Sequence, residues 1–210
     1  MSDEPTQEEL LSTPVGRYDT DRLRFKGLRG DASKHLDDSA LRAAIAALPA
    51  APRDVGSIDL LVARGPHGER SLPREALLTV ERGMPGDRWF GSKYGPDYQL
   101  ATTRTDFARL VANGQPLELH GDNLFLTLDL SSGNLPAGSR LALGQAIVRV
   151  TDVAHNGCKK WVQRFGVAAM QANLAPDLRA LHLRGIYLQV VRDGLVRVGD
   201  RVEVLERGIR

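Results

Sequence analysis

Leu124-Phe125-Leu126-Thr127-Leu128-Asp129-Leu130 is the clearest structural signal in this chain of 210 residues. Leucine occupies every second position of the stretch, and the residues between become polar after Phe125. Because successive side chains of a strand point to opposite faces, this alternation predicts a β-strand with one apolar face. Such a strand needs partner strands beside it and an apolar core against that face.

Similar alternation recurs on both sides of this strand. Further strands are predicted over residues 58–62, 77–80, 141–153, 186–190 and 198–205. Helices are predicted over residues 37–48, 105–111 and 159–173, where apolar residues recur at helical spacing. Many short strands with few helices between them argue against a doubly wound parallel sheet. The pattern predicts a mainly β fold, a closed or half-closed β-barrel with short helices in its connections.

The first quarter of the chain differs from the rest. Residues 1–31 are polar with scattered apolar residues, and we expect a largely extended arm whose start is disordered. Asp38 or Ser39 is expected to cap the helix that follows, and Pro49 and Pro52 end it. We therefore divide the chain into an N-terminal arm and helix, residues 1–55, and a barrel domain, residues 56–210.

Composition excludes several classes of function. The formal net charge is only +2, with basic and acidic residues interleaved, so no nucleic-acid partner is expected. The single cysteine cannot form an intrachain disulfide. Residues 1–11 are too acidic and polar for a signal peptide, and no apolar run is long enough to span a membrane. We expect a cytoplasmic protein without a membrane partner. Phosphate-binding loops, zinc-protease motifs and esterase motifs are absent from the sequence.

The stretch His155-Asn156-Gly157-Cys158-Lys159-Lys160-Trp161 holds that cysteine. Asn-Gly favours a turn, so we expect Cys158 between a strand end and the first turn of a helix. A helix N-terminus and neighbouring lysines stabilise a thiolate, and His155 is close enough to share a proton with it. We interpret Cys158 and His155 as catalytic. The alternatives are a small buried apolar cysteine and a histidine that faces water.

Several further marks, taken in order, resemble the MOSC domain, the family named for the C-terminal domain of molybdenum cofactor sulfurases. The marks are Gly83-x-x-Gly86-Asp87-Arg88, Gly121-Asp122-Asn123-Leu124, Leu143-Gly144, Cys158, Arg184-Gly185-Ile186-Tyr187 and Val198-Gly199-Asp200. The resemblance covers roughly residues 57–205. Asp122 stands where the motif often has glutamate, which retains the carboxylate.

The resemblance implies a barrel whose cysteine carries the chemistry. Cys158 is expected to ligate molybdenum in a pterin cofactor, in an oxidoreductase that reduces N-hydroxylated substrates with electrons from a separate flavin or iron–sulfur protein. The alternative is a sulfur carrier or cofactor-handling protein, with Cys158 as persulfide acceptor and no turnover of its own. A third possibility is a binding module in which the cysteine is incidental. The chain lacks the aminotransferase-like half of a full sulfurase, so no PLP site is expected.

A pterin cofactor also brings a phosphate, which requires cations and polar groups. The candidate cofactor-binding residues are Asp87, Arg88, Arg104, Asn123, Asn156, Lys159, Lys160 and Arg184. Each arginine has a competing interpretation as a solvated charge or a structural ion pair. Asn123 has a competing interpretation as a residue that caps a turn. The sequence gives no oligomeric state.

Overall fold

A seven-stranded β-barrel forms the centre of the protein, whose computed structural model describes residues 27–209. Residues 1–26 of the predicted arm lie outside that range. The strands in it are β1 (Val55–Leu61), β2 (Ala63–Arg64), β3 (Arg70–Ser71), β4 (Glu75–Leu78), β5 (Leu100–Arg104), β6 (Leu124–Thr127), β7 (Arg140–Leu143), β8 (Ala146–Val150), β9 (Ile186–Arg192), β10 (Gly194–Arg197) and β11 (Arg201–Glu206). The helices are α1 (Asp38–Ala46), α2 (Thr105–Ala112) and α3 (Lys159–Leu174).

The barrel closes in the order β1-β11-β7-β8-β9-β5-β6, which confirms the predicted mainly β class and the closed form. All its neighbouring strands are antiparallel except β5 and β6, which α2 connects. A parallel pair needs a crossover connection, and the crossover helix covers the outer face of the sheet. Two small sheets, β4 with β10 and β2 with β3, flank the barrel. No helix in residues 27–209 has the length and apolarity needed to cross a membrane.

Strand β6 is apolar on both faces. Leu124 and Leu126 point into the barrel core, whereas Phe125 packs with Ala108 of α2 and with Val62. The strand ends at Thr127, three residues earlier than the alternation predicts, but Leu128 and Leu130 remain in the same core. The alternating leucines therefore identify the core face correctly although they overstate the length of the strand.

The predicted strand over residues 141–153 is wrong, because the structure makes a hairpin there. Strand β7 turns into β8 at Gly144, which has φ of 51°, a left-handed conformation that favours glycine. The predicted strand over 198–205 begins only at Arg201, because Gly199 lies in a turn with φ of 95°. The cap of α1 is Asp37 rather than Asp38 or Ser39; its carboxylate accepts a hydrogen bond from Ala40 N at 2.7 Å.

The three helices build a second apolar core beside the barrel. Leu41 and Ile45 of α1 belong to one buried cluster with Phe107 of α2 and with Trp161 and Phe165 of α3. Helix α1 thus packs in one cluster with the helix that begins next to Cys158, and it does not line the pocket described below. Helix α3 is broken at Gly166, where φ is 90°.

The chain before α1 lies along α3 with no room for a side chain at Gly30. Gln163 exchanges hydrogen bonds with Gly30, accepting from its N–H at 2.9 Å and donating to its carbonyl at 3.3 Å. A Cβ on Gly30 would overlap the carbonyl of Arg164 and lie 2.5 Å from its Cα.

We predict that Gly30→Ala lowers the free energy of unfolding by about 2 kcal/mol, because the overpacked contact separates the segment from α3. Thermal or urea unfolding measures this loss. Gly95→Ala is the control, since a Cβ there meets nothing within 4 Å and φ is −69°. Equal stability of the two variants would contradict the assigned packing.

Candidate functional site

A pocket of 770 Å³ opens at the N-terminal end of α3. Its walls come from the turn before α3 and the first turns of α3, from β2, β3 and the loop between them, from the 88–98 loop, from residues 120–121 before β6, and from the start of β9. Six basic side chains line it: Arg64, Arg70, Arg88, Lys160, Arg164 and Arg184. Aromatic side chains supply much of the rest: Trp89, Tyr94, Tyr98, Trp161 and Tyr187.

Cys158 is exposed at the edge of this pocket. It is the N-cap residue of α3, in an extended conformation, and its carbonyl accepts from Trp161 N at 2.9 Å. Gly157 supplies the sharp bend with φ of 82°. The structure therefore places Cys158 where the turn pattern predicts it, and the alternative of a buried apolar cysteine is wrong. Cys158 directly precedes the first-turn N–H groups of α3, which favour negative charge, although its side chain makes no capping hydrogen bond.

Behind the cysteine lies a buried group of charged side chains. Arg184 Nη1 contacts Asp122 Oδ2 at 2.5 Å, and His155 Nε2 lies 3.6 Å from Asp122 Oδ1. Burial raises the pKa of Asp122, and the charge of Arg184 opposes that rise. Burial and the nearby Arg184 and Arg64 hold the pKa of His155 well below its usual value, so the imidazole is neutral at pH 7. Only 6% of the His155 side chain is exposed, so the alternative of a histidine that faces water is wrong.

Three atoms of this group have no hydrogen-bond partner among residues 27–209: Asp122 Oδ1, His155 Nδ1 and Arg184 Nε. Buried polar atoms are almost always paired in native proteins, by protein or by an ordered ligand or water. His155 and Arg184 line the pocket, whereas Asp122 is fully buried behind them, so a polar ligand in the pocket would find its unpaired partners at His155 and Arg184.

A second buried ion pair holds Arg64 in the pocket wall. Arg64 forms a bidentate pair with Asp87 at 2.7 and 2.9 Å, and Asn123 Nδ2 donates to the same carboxylate at 2.7 Å. Burial acts to raise the pKa of Asp87, but the hydrogen bonds from Arg64 hold it below its usual value. Asp87 and Asn123 do not themselves line the pocket. Their observed role is to position Arg64, which we did not predict from the sequence.

The other predicted residues divide between the pocket and the surface. Arg88, Asn156, Lys160 and Arg184 line the pocket. Arg104 does not, because its guanidinium pairs with Asp106 at 2.6 Å and donates to Pro49 O. Its competing interpretation as a structural ion pair therefore describes it better. Lys159 also lies outside the pocket lining.

The sequence reasoning missed several wall residues that come from distant segments. His120 stacks on Phe165 with ring centroids 4.2 Å apart, and its Nε2 lies 2.9 Å from Ala108 O. Burial, followed by the charge of Arg184, lowers the pKa of His120 to about 3. Tyr187 packs over the His155 ring at 4.4 Å, and burial raises its pKa. Tyr187 itself belongs to the Arg184-Gly185-Ile186-Tyr187 mark, which was the available signal, although no role in the site was predicted for it.

Comparisons with known proteins agree with this architecture. The family model of the MOSC domain matches residues 93–203. The solved YUAD protein from Bacillus subtilis has a TM-score of 0.52 and 22% identity, covering 71% of this chain and 95% of that one. YiiM from Escherichia coli has a TM-score of 0.50 and 22% identity, covering 73% and 72%. YiiM from Geobacillus stearothermophilus has a TM-score of 0.51 and 15% identity, and the match covers 73% of this chain and 77% of that one. At these identities the likeness concerns the fold, and no curated protein matches the chain.

Proposed function

Because the chain belongs to the MOSC domain family, which is associated with the molybdenum cofactor, we propose that it binds a molybdenum–pterin cofactor with Cys158 as the protein ligand to the metal. The observation that carries this proposal is the exposed Cys158, positioned at the N-terminus of α3 in a pocket lined by arginines. A thiolate is a suitable ligand for a metal that also takes sulfur donors.

The donor set of the pocket fits such a cofactor. No group of three or more His, Cys, Asp or Glu side chains in residues 27–209 could hold a metal ion without further ligands. A metal at Cys158 would therefore need its remaining ligands from a small molecule, as a pterin dithiolene provides. The basic side chains of the wall suit an anionic molecule, and the unpaired Arg184 Nε could donate to its polar edge.

In this proposal the residues of the chain bind the cofactor, orient it and exclude water from it. Arg184 is fixed by Asp122 and by His120 O at 3.0 Å, so its position does not depend on the ligand. The neutral His155, three residues before the cysteine, lines the same pocket, and its Nδ1 has no hydrogen-bond partner within residues 27–209. When bound, the cofactor would supply the two-electron redox chemistry. The substrate class that we propose is an N-hydroxylated compound.

Electrons would come from a separate donor protein, because one cysteine cannot hold an iron–sulfur cluster. We place the reaction in the cytoplasm, where a lone thiol stays reduced.

We predict that Cys158→Ala abolishes stoichiometric molybdenum binding by the full chain made in a molybdate-fed host. Metal analysis and pterin fluorescence measure the loss. Stability should stay within about 0.5 kcal/mol of the original protein, because the side chain is exposed and makes no capping hydrogen bond. Cys158→Ser keeps the size of the side chain and is the matched variant, with weaker metal retention expected. Full metal content in Cys158→Ala would overturn the ligand role.

A sulfur carrier is the second candidate, since an exposed Cys158 is also reachable by a sulfur donor. It predicts a cyanide-labile sulfur on Cys158 in protein that contains no molybdenum. Mass spectrometry of the native protein separates the two candidates, because a persulfide adds one sulfur atom to Cys158 and the metal-binding candidate requires no such addition.

A further inference from the structure

We propose that Asn156 is a site of spontaneous deamidation in the folded protein, which converts its side-chain amide into a carboxylate in the wall of the pocket. The reaction needs only the chain and water, so the inference does not depend on the cofactor or the substrate of the proposed function. It concerns the Asn156-Gly157 dipeptide, whose turn places Cys158 directly before α3.

The reaction uses two groups of this dipeptide. The backbone nitrogen of Gly157 attacks Cγ of Asn156, and the new C–N bond closes a five-membered succinimide. The bond from Cγ to the side-chain nitrogen breaks, and this nitrogen leaves as ammonia with the proton of the Gly157 N–H. Water then opens the ring at either carbonyl, which gives aspartate or isoaspartate. Because the attack is intramolecular, its rate depends on how freely the two groups can meet.

The first observation is that the side-chain amide of Asn156 is not held in place. The chain has five asparagines, and the structure holds the side-chain amides of the other four in hydrogen bonds: Asn113, Asn123, Asn134 and Asn173. The side chain of Asn156 makes no hydrogen bond within residues 27–209. It is half-buried in the wall of an open pocket, so water can reach it.

The second observation concerns the attacking nitrogen. Gly157 N has no hydrogen-bond partner among the described residues, and the dipeptide lies outside every helix and strand that they form. Gly157 has no Cβ that would shield its nitrogen, and its φ is 82°. In the described part of the chain, only the hydrogen bond from Asn173 Nδ2 to Asn156 O, at 3.1 Å, holds this peptide group. Little of the fold therefore opposes ring closure.

A second Asn-Gly dipeptide provides a comparison within the same chain. Asn113 follows the end of α2, with φ of 45° and ψ of 51°, and its N–H donates to Arg109 O at 3.1 Å. Its side-chain amide donates to Lys34 O at 2.9 Å. Ring closure at Asn113 has to break these hydrogen bonds, although Asn113 and Gly114 are both exposed. We therefore expect slower deamidation at Asn113 than at Asn156.

Deamidation would change the candidate site in two ways. A carboxylate at position 156 adds a negative charge to a pocket lined by Arg88, Lys160 and Arg184. Isoaspartate also inserts one methylene group into the backbone of the turn that precedes Cys158. A negative charge near a thiol disfavours the thiolate, which is the reactive form. The thiol of deamidated protein should therefore react more slowly.

The test is incubation of the full chain in mildly alkaline buffer at physiological temperature, followed by mass spectrometry of its peptides. Deamidation is read as the mass gained when NH2 is replaced by OH. We expect the peptide that contains Asn156 to gain this mass about tenfold faster than the peptide that contains Asn113, the rate cost of breaking the hydrogen bonds of Asn113. In urea the two peptides should gain it at equal rates, because the fold no longer distinguishes them.

Asn156→Gln is the matched variant, since it keeps the amide but would have to close a larger ring. The mass gain at this peptide should be lost in Asn156→Gln, and the gain at Asn113 should stay unchanged. Equal rates for the two dipeptides in the folded protein, or a mass gain that persists in Asn156→Gln, would overturn the deamidation site.

Asn156→Asp tests the effect on the thiol. It should slow the reaction of Cys158 with a neutral disulfide reagent by about threefold, the effect of one nearby like charge in water. An unchanged rate would overturn the effect that we infer for the thiol. None of these measurements uses the molybdenum content of the protein, so their failure and the failure of the proposed function are distinguishable.

Discussion

Asp122→Asn lowers the free energy of unfolding by about 3–5 kcal/mol, the largest loss that we expect from a single substitution in this chain. Asparagine keeps the size of the side chain and removes its charge. Arg184, whose side chain is only 6% exposed, is then left in the protein without the carboxylate that contacts it at 2.5 Å. An uncompensated buried charge costs far more than the lost hydrogen bond alone.

Two further variants make this prediction specific. Glu75→Gln breaks the Arg197–Glu75 pair, in which both side chains are more than half exposed, and should cost less than about 1 kcal/mol. The double variant Asp122→Leu with Arg184→Met replaces the buried pair by apolar groups of similar size, and it should recover much of the stability. Urea unfolding at pH 7 measures all of them. If Asp122→Asn lowers the free energy of unfolding as little as Glu75→Gln does, Asp122 and Arg184 are not a desolvated pair.

The same substitution should also affect the pocket. Asp122 is the only carboxylate that contacts both Arg184 and His155 within residues 27–209. Its loss frees Arg184 to move toward solvent, so binding of an anionic ligand should change together with stability. The ion pair is thus both a structural element of the barrel and the rigid support of the candidate site.

The alternation of apolar and polar residues predicts the strands of the barrel, but it does not locate the turns between them. The buried positions of β7 are odd-numbered, Leu141 and Leu143, whereas those of β8 are even-numbered, Ala146, Val148 and Val150. This change of parity occurs at Gly144, but the apolar Ala142 and Ile147 hide it in the sequence, where 141–153 looked like a single strand. Gly144 adopts positive φ there because the chain reverses in a tight turn.

The site was predictable where its residues are adjacent in sequence. Cys158, Gly157 and the start of α3 follow from a turn dipeptide before a helical pattern. Arg64, Arg70 and Arg164 reach the same pocket only because the barrel closes and α3 packs beside it. Closure depends on strand register, which a single sequence does not specify. Arg104 is the opposite case, since this predicted cofactor-binding residue pairs with Asp106, two positions along the chain, and stays out of the pocket.

His120 provides the second large prediction, a loss of stability in mild acid. Its pKa in the folded protein is about 3, against an ordinary value of 6.5. Between these values the unfolded chain binds a proton that the folded protein does not bind, so stability is complete above pH 6.5 and falls as the pH is lowered toward 3. Two pH units below 6.5, at pH 4.5, His120 alone should cost about 3 kcal/mol. His155, whose pKa is also lowered by burial, acts in the same direction.

Urea unfolding at pH 7 and pH 4.5 tests this prediction, with His120→Gln as the variant. Glutamine can still donate to Ala108 O but cannot titrate, so the variant should be less stable at pH 7 and lose about 3 kcal/mol less on acidification. Leu41→Ala is the control, because it removes packing from the buried cluster of Trp161 and Phe165, which contact His120, without removing a titrating group. It should lose as much stability on acidification as the original protein does. If His120→Gln and the original protein lose the same stability between pH 7 and pH 4.5, His120 is not a buried, neutral histidine.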